Sequence, residues 1–314
     1  MGLANSVWQL FFLRLFMGVF TGFIPMSQAL IATQTPKNIA GKVLGTLQTG
    51  SITGSLMGPM LGGLLADSFG YSVTFQGTSI TVFLSAMIVL FGIKEVKMAD
   101  ENSDNKTSYS KKEVINHIIR HPVLLMVMLV SLFVQIAHFS IQPILSLYVA
   151  ELHGAANLAF FSGIAFSAAG LGNLLMARRW GRIADRVGYI KILVFLLFMA
   201  GIVYFPGAFV TSIWQLVVIR FLLGASIGGI IPVRSAYIRQ EAPLAMQGEV
   251  LGYNTSIRFL GNMIGPALGG MLSGYFGFSS VFFVTSTLLV ASGIAMYLTM
   301  QRNPNAVKHH AHSV

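Results

Sequence analysis

A membrane-length apolar pattern occurs twice in this chain, and that duplication restricts the possible folds more than any other feature of the sequence. Trp8-Gln9-Leu10, Arg14, Gly18 and Gly22 recur 206 residues on as Trp214-Gln215-Leu216, Arg220, Gly224 and Gly228. From Pro25 and Pro232 onward the offset is 207, which one inserted residue explains. Gly41-Lys42-Val43-Leu44-Gly45 matches Gly248-Glu249-Val250-Leu251-Gly252, and Gly54, Gly58-Pro59, Leu61-Gly62-Gly63, Gly70 and Phe75 match Gly261, Gly265-Pro266, Leu268-Gly269-Gly270, Gly277 and Phe282. A period this long marks a doubled bundle and not a solenoid. Three apolar spans lie between Pro122 and Trp214, but only seven residues precede Trp8. The first copy is therefore expected to be short by three helices.

Apolar residues make up 54% of the 314 and charged residues 10%, and the mean hydropathy is +0.73. A water-exposed surface cannot be built from such a composition. Nine stretches are long enough to cross about 30 Å of hydrocarbon as helices: 7–32, 43–65, 73–93, 122–149, 158–177, 190–210, 213–238, 250–272 and 280–300. The runs are continuous, not alternating, so helices and not barrel strands are expected. The fold class is an all-α membrane protein with two pseudo-symmetric halves. Residues 1–93 form the N-terminal half, 94–121 a polar linker with a short surface helix near 111–119, 122–302 a six-helix C-terminal half, and 303–314 a flexible tail.

The net charge of +10 would suggest nucleic acid in a soluble protein, but its placement argues against that. Lys and Arg follow the first, third, fifth, seventh and ninth spans, and the alternate loops have none. By the positive-inside rule those loops and the C-terminus are cytoplasmic and Met1 is external. The absence of Cys excludes a disulfide framework. His309, His310 and His312 lie in the tail and read as a frayed terminus, so no metal site or cofactor is expected.

Candidate functional residues follow from polar groups that lipid would penalise. Ser131, Gln135, His138 and Gln142 share one helix face, with Pro143 next to loosen the helix. Asn254, Arg258 and Asn262 form a second stripe, and the repeat maps the last two onto Ser51 and Ser55. Gln28 joins this cavity set, and Met26, Phe139 and Met263 suit apolar walls. Interhelical hydrogen bonding is the alternative for each polar residue. Arg14 and Arg220 fall inside spans, where either a partner or snorkelling to the interface is required. All ten carboxylates sit in loops or at span ends.

Two strings carry a family resemblance. Gly54, Gly58-Pro59 and Gly62-Gly63 place small residues and a helix-bending Pro within one span, and resemble the antiporter signature of major facilitator superfamily drug exporters. Gly181 to Gly188, with Asp185 and Arg186, reads as a basic loop in which Asp185 complements a helix N-terminus and Gly188 turns the chain; its order is similar to the superfamily's loop signature between helices eight and nine. Arg14 with Gly18 looks like the superfamily's fourth-helix signature. The wording around 5–14, 29–34, 54–67 and 248–270 looks most like the MdtG-type bacterial multidrug exporters.

The resemblance implies a major facilitator fold with nine of twelve transmembrane helices present. It further implies a monomer in the bacterial plasma membrane that exports small amphiphilic drugs in exchange for protons by alternating access. Gating and coupling then fall to Arg14, Gly54, Gly58, Pro59, Gly62, Gly63, Asp185, Arg186 and Gly188. An uptake carrier for a small metabolite, or a truncated fragment that does not transport, remain alternatives. No Walker loop, zinc-ligand spacing or nucleophile elbow supports an enzyme.

Overall fold

The computed structural model describes residues 2–19, 40–92, 110–243 and 246–303, and these are helical wherever they are regular. In chain order the helices are α1 (Val7–Val19), α2 (Ala40–Gly92), α3 (Lys111–Arg120), α4 (Pro122–Ile141), α5 (Leu145–His153), α6 (Leu158–Val187), α7 (Tyr189–Tyr204), α8 (Ile213–Glu241), α9 (Gln247–Phe276) and α10 (Phe278–Arg302), with a 3-10 turn at Phe205–Phe209. Six segments among the described residues are long and apolar enough to cross a membrane, and 7–18 is a shorter apolar helix. Helix α9 has the length, at 30 residues, but its polar stripe lowers its hydropathy.

Helix α2 is two helices joined without a loop. The break is Gly70, at φ 82° and ψ 160°, inside an otherwise helical run of 53 residues. Its repeat counterpart, Gly277, separates α9 from α10 at φ 80° and ψ 168°. This backbone region is almost closed to residues with a Cβ, so the two copies turn at the same place by the same means. Their starts also agree. The Asn5 N–H donates to Gln9 Oε1 at 2.9 Å and the Thr211 N–H to Gln215 Oε1 at 3.0 Å. Trp8 and Trp214, just inside each start, are both well exposed, as befits a ring at the membrane–water boundary.

The chain separates into two compact units. Residues 1–104 and 157–163 form the first, and 105–156 with 164–314 form the second. In the first unit, the second leg of α2 meets the N-terminus where the Ser72 hydroxyl donates to the Gly2 carbonyl at 2.5 Å. The first turns of α6 lie against the first leg of α2. There a Cβ on Gly63 would collide with the Ala159 backbone, and one on Gly163 with the Pro59 carbonyl.

In the second unit, helices pair through glycine faces. Gly261, Gly265 and Gly269, one per turn on α9, leave no room for a Cβ against Gln135, Ile136–Phe139 and Ser140 of α4. Gly224 and Gly228 on α8 press against Ala169 and Asn173 of α6 in the same way. Helix α7 meets α10 at Gly201, whose carbonyl accepts the Ser286 hydroxyl at 2.7 Å. Lipid offers no hydrophobic gain for helix association, so this backbone-to-backbone contact supplies the dispersion energy. Phe282 fills the centre, completely buried between Tyr148 and Tyr204.

Several boundaries differ from the sequence expectation. The expected span 122–149 is broken at 142–144, where Pro143 opens the helix into a turn before α5. The expected span 158–177 extends to Val187, because once past the hydrocarbon its arginines are good helix formers and continue the turns. Consequently the stretch from Gly181 to Arg186 is helical, not a loop. Only Gly188, at φ 107°, turns the chain into α7. Asp185 does not cap that helix through the backbone; its Oδ1 accepts the Tyr189 hydroxyl at 2.8 Å.

The linker helix forms as the pattern requires. Ser110 precedes it, and its N–H donates to Glu113 Oε2 at 2.9 Å, satisfying one of the N-terminal backbone donors. Val114 and Ile118 are its buried face. The rest of the expected linker, 94–109, and the tail from 304 lie outside the described residues.

Candidate functional site

In the second unit, the two polar stripes lie on α4 and α9, the pair joined by the glycine seam. Gln135 is buried with its Cβ against Gly261, and Ser131 donates back to the Val127 carbonyl at 2.8 Å. His138 and Gln142 are half-buried; His138 stands edge-on to Phe139 with centroids 5.4 Å apart. On α9, Asn254 is 3% exposed, and Arg258 and Asn262 are half-buried. His138 Nδ1, Asn254 Oδ1, Arg258 Nε and Asn262 Oδ1 are all buried atoms without a hydrogen-bond partner among the described residues. Buried polar atoms are normally paired, so this concentration on two adjoining helices sets the region apart.

The sequence reading overlooks Arg234. It stands two residues after Pro232 on α8, is 0% exposed, and has no partner for any of its three guanidinium nitrogens among the described residues. The charged side chain acting on it is Arg258, a second cation. The available signal was an arginine five residues before Arg239, about one and a half helical turns inside the apolar run, with Ser27 as its repeat counterpart.

Arg220 differs. At 2% exposure it does not snorkel: its Nε donates to the Ala165 carbonyl at 3.3 Å and its guanidinium lies 5.9 Å from the Phe166 ring centroid. Trp180 Nε1 adds a second tie, to Ala225 O at 2.9 Å. These contacts bind α6 to α8.

In the first unit Arg14, Ser51 and Ser55 are exposed, and Ser55 donates to its own helix at Ile52 O, 2.8 Å. Among the described residues a Cβ at Gly54, Gly58 or Gly62 would meet no neighbouring element within 4 Å, whereas Gly63 is in tight contact. Asp67 on α2 accepts the backbone N–H groups of Ala159 and Phe160 at 3.1 and 2.7 Å, capping the start of α6 from a neighbouring helix. Gln28 and Met26 lie outside the described residues. An apolar groove of about 570 Å³ lined by Pro206, Phe209, Val210, Trp214, Gln215, Val218 and Ile219 includes none of the expected cavity residues. Among the described residues no group of three His, Cys, Asp or Glu side chains could hold a metal ion.

The family model described as Major Facilitator Superfamily matches residues 1–205 and 157–313. The chain belongs to the major facilitator superfamily. It is 54% identical over 302 residues to "Uncharacterized MFS-type transporter YuxJ" of Bacillus subtilis, spanning 96% of this chain and 76% of that one. Multidrug resistance protein MdtG of Dickeya zeae is 39% identical over 306 residues, spanning 97% and 74%, and MdtG of Salmonella arizonae is 39% identical over 310 residues, spanning 96% and 74%. The fold resembles that of a bacterial homolog of the human lysosomal transporter Spinster in an inward-facing, unoccupied conformation, with a TM-score of 0.75 at 16% identity over 98% of this chain and 80% of that chain. The all-helical major facilitator fold that the motif resemblance implies is therefore correct, and the chain is a multi-pass membrane transporter by family.

Proposed function

We propose that the chain is a secondary carrier that exports small amphiphilic compounds across the bacterial plasma membrane in exchange for protons. The halves 1–93 and 122–302, joined by the linker 94–121, rock about a midplane site, with the C-terminus cytoplasmic and the start of the chain external. Similarity to the MdtG multidrug resistance proteins over nearly the whole chain is the observation that carries this reading. The matched turn glycines and helix starts of the two copies support it, because alternating access needs two comparable lobes. Gln135, His138, Gln142, Asn254, Arg258, Asn262, Ser51, Ser55 and Gln28 line the substrate path in this proposal. Arg14, the glycines of α2, Pro59, Asp185, Arg186 and Gly188 control its opening.

The test uses the purified chain in liposomes loaded with a fluorescent lipophilic dye. Dye movement that accelerates when a pH gradient is imposed, and stops when the gradient is collapsed, is the expected result. Movement indifferent to the gradient removes proton exchange from the proposal, and no movement in either direction removes the carrier reading.

A further inference from the structure

We propose that the second unit holds a binding site for an oxyanion that also carries a proton donor, clasped between Arg234 of α8 and Arg258 of α9, with Asn254 and Asn262 completing it. Arg234 is 0% exposed, and Nε and both terminal nitrogens have no acceptor among the described residues. Arg258, the charged group acting on it, adds a buried Nε that is also unpaired. A lone guanidinium inside a membrane protein is strongly disfavoured unless an anion or water meets it. Two together repel each other and increase that cost.

Within the described residues the ion pair is His121 with Glu241, so no carboxylate of this unit neutralises either arginine. A carboxylate or phosphoryl group would, because its oxygens match the guanidinium fork. Asn254 and Asn262 contribute carbonyl oxygens that are buried and lack donors; a hydroxyl on the same ligand satisfies them. Arg234 is seven residues before the end of α8 at Glu241 and Asn254 is seven after the start of α9 at Gln247, and Arg258 and Asn262 follow Asn254 at successive four-residue steps along the same face of α9. This inference deepens the carrier reading, since it names the chemistry of a ligand for residues placed in the substrate path. An anionic lipid headgroup and a small soluble anion share that chemistry.

The experiment measures equilibrium binding of radiolabelled inorganic phosphate to the purified chain in phosphatidylcholine nanodiscs, and retention of phosphatidylglycerol by native mass spectrometry. Arg234→Gln, Arg258→Gln and Asn262→Asp are compared with the unaltered chain. The last leaves both arginines in place but fills the site with a fixed carboxylate. Saturable phosphate binding weakened at least about tenfold by each substitution supports a soluble anion. Retained phosphatidylglycerol that all three lose supports a lipid headgroup. Neither ligand bound by the unaltered chain, or binding that survives Asn262→Asp, overturns the site. Dye transport in matching liposomes separates the two readings: anion binding without transport removes the carrier alone, and transport without anion binding removes the site alone.

Discussion

At the scale of single residues, polar contacts at the helix ends have consequences that can be separated. Asp67 accepts two backbone N–H groups at the start of α6, so Asp67→Ala is expected to cost about 1 kcal/mol, read as a lower unfolding midpoint in detergent, while Asp67→Glu costs less. His117 on the linker helix lies outside the membrane spans. Burial holds its imidazole below the ordinary value of 6.5; nearby His121 adds to the effect, and Glu241 partly opposes it. The docked helix thus favours neutral His117, and the undocked helix takes up the proton first. Docking is expected to be full above about pH 6.5 and to weaken as pH falls below it. Lower amide protection factors across 111–120 at pH 5.5 than at 7.5, with the base-catalysed intrinsic rate at each pH divided out, and the loss of that difference in His117→Gln, are the measurement. The polar stripes are legible in the sequence because their spacing puts them on one helix face. Arg234 is not, because an arginine five residues before Arg239 is easily counted with the charges at the membrane surface, and only packing shows that it is enclosed.

Helices are placed largely by their glycines, and the two copies use them unequally. Gly261, Gly265 and Gly269 grip α4, but a Cβ at the corresponding Gly54, Gly58 or Gly62 would meet no neighbouring element within 4 Å among the described residues. Gly265→Leu is therefore expected to destabilise by about 1–3 kcal/mol or more and Gly58→Leu by far less, compared by thermal unfolding of the purified variants. Gly70→Ala and Gly277→Ala should each cost about 1–3 kcal/mol, since both glycines occupy backbone conformations that a Cβ disfavours. The glycine spacing announces close packing from sequence alone, but not which helix approaches. The same limit explains the arginine-rich end of α6, read as loop because charge marks the membrane boundary without saying whether the helix stops there.

For the whole molecule, the repeat and the alternation of basic loops carry most of the information, and both are visible in the sequence. The family match agrees with the fold they imply. Orientation is open to direct measurement, because the chain has no Cys of its own. Single cysteines introduced at Ser110 and Arg182 are expected to react with an impermeant maleimide only in inverted vesicles, and cysteines at Gly154 and Asn157 only in intact cells. The reverse pattern would invert the proposed topology. What the sequence does not reveal is the uneven packing of the two copies, because side-chain periodicity is the same in both while the neighbours differ.

Gly70 and Gly277 each return the chain into the bilayer within a single residue. On that side of the membrane the protein consequently offers no slack at either turn: no strand for a protease to cut, no tether for a soluble partner to grasp, and little for an antibody to recognise.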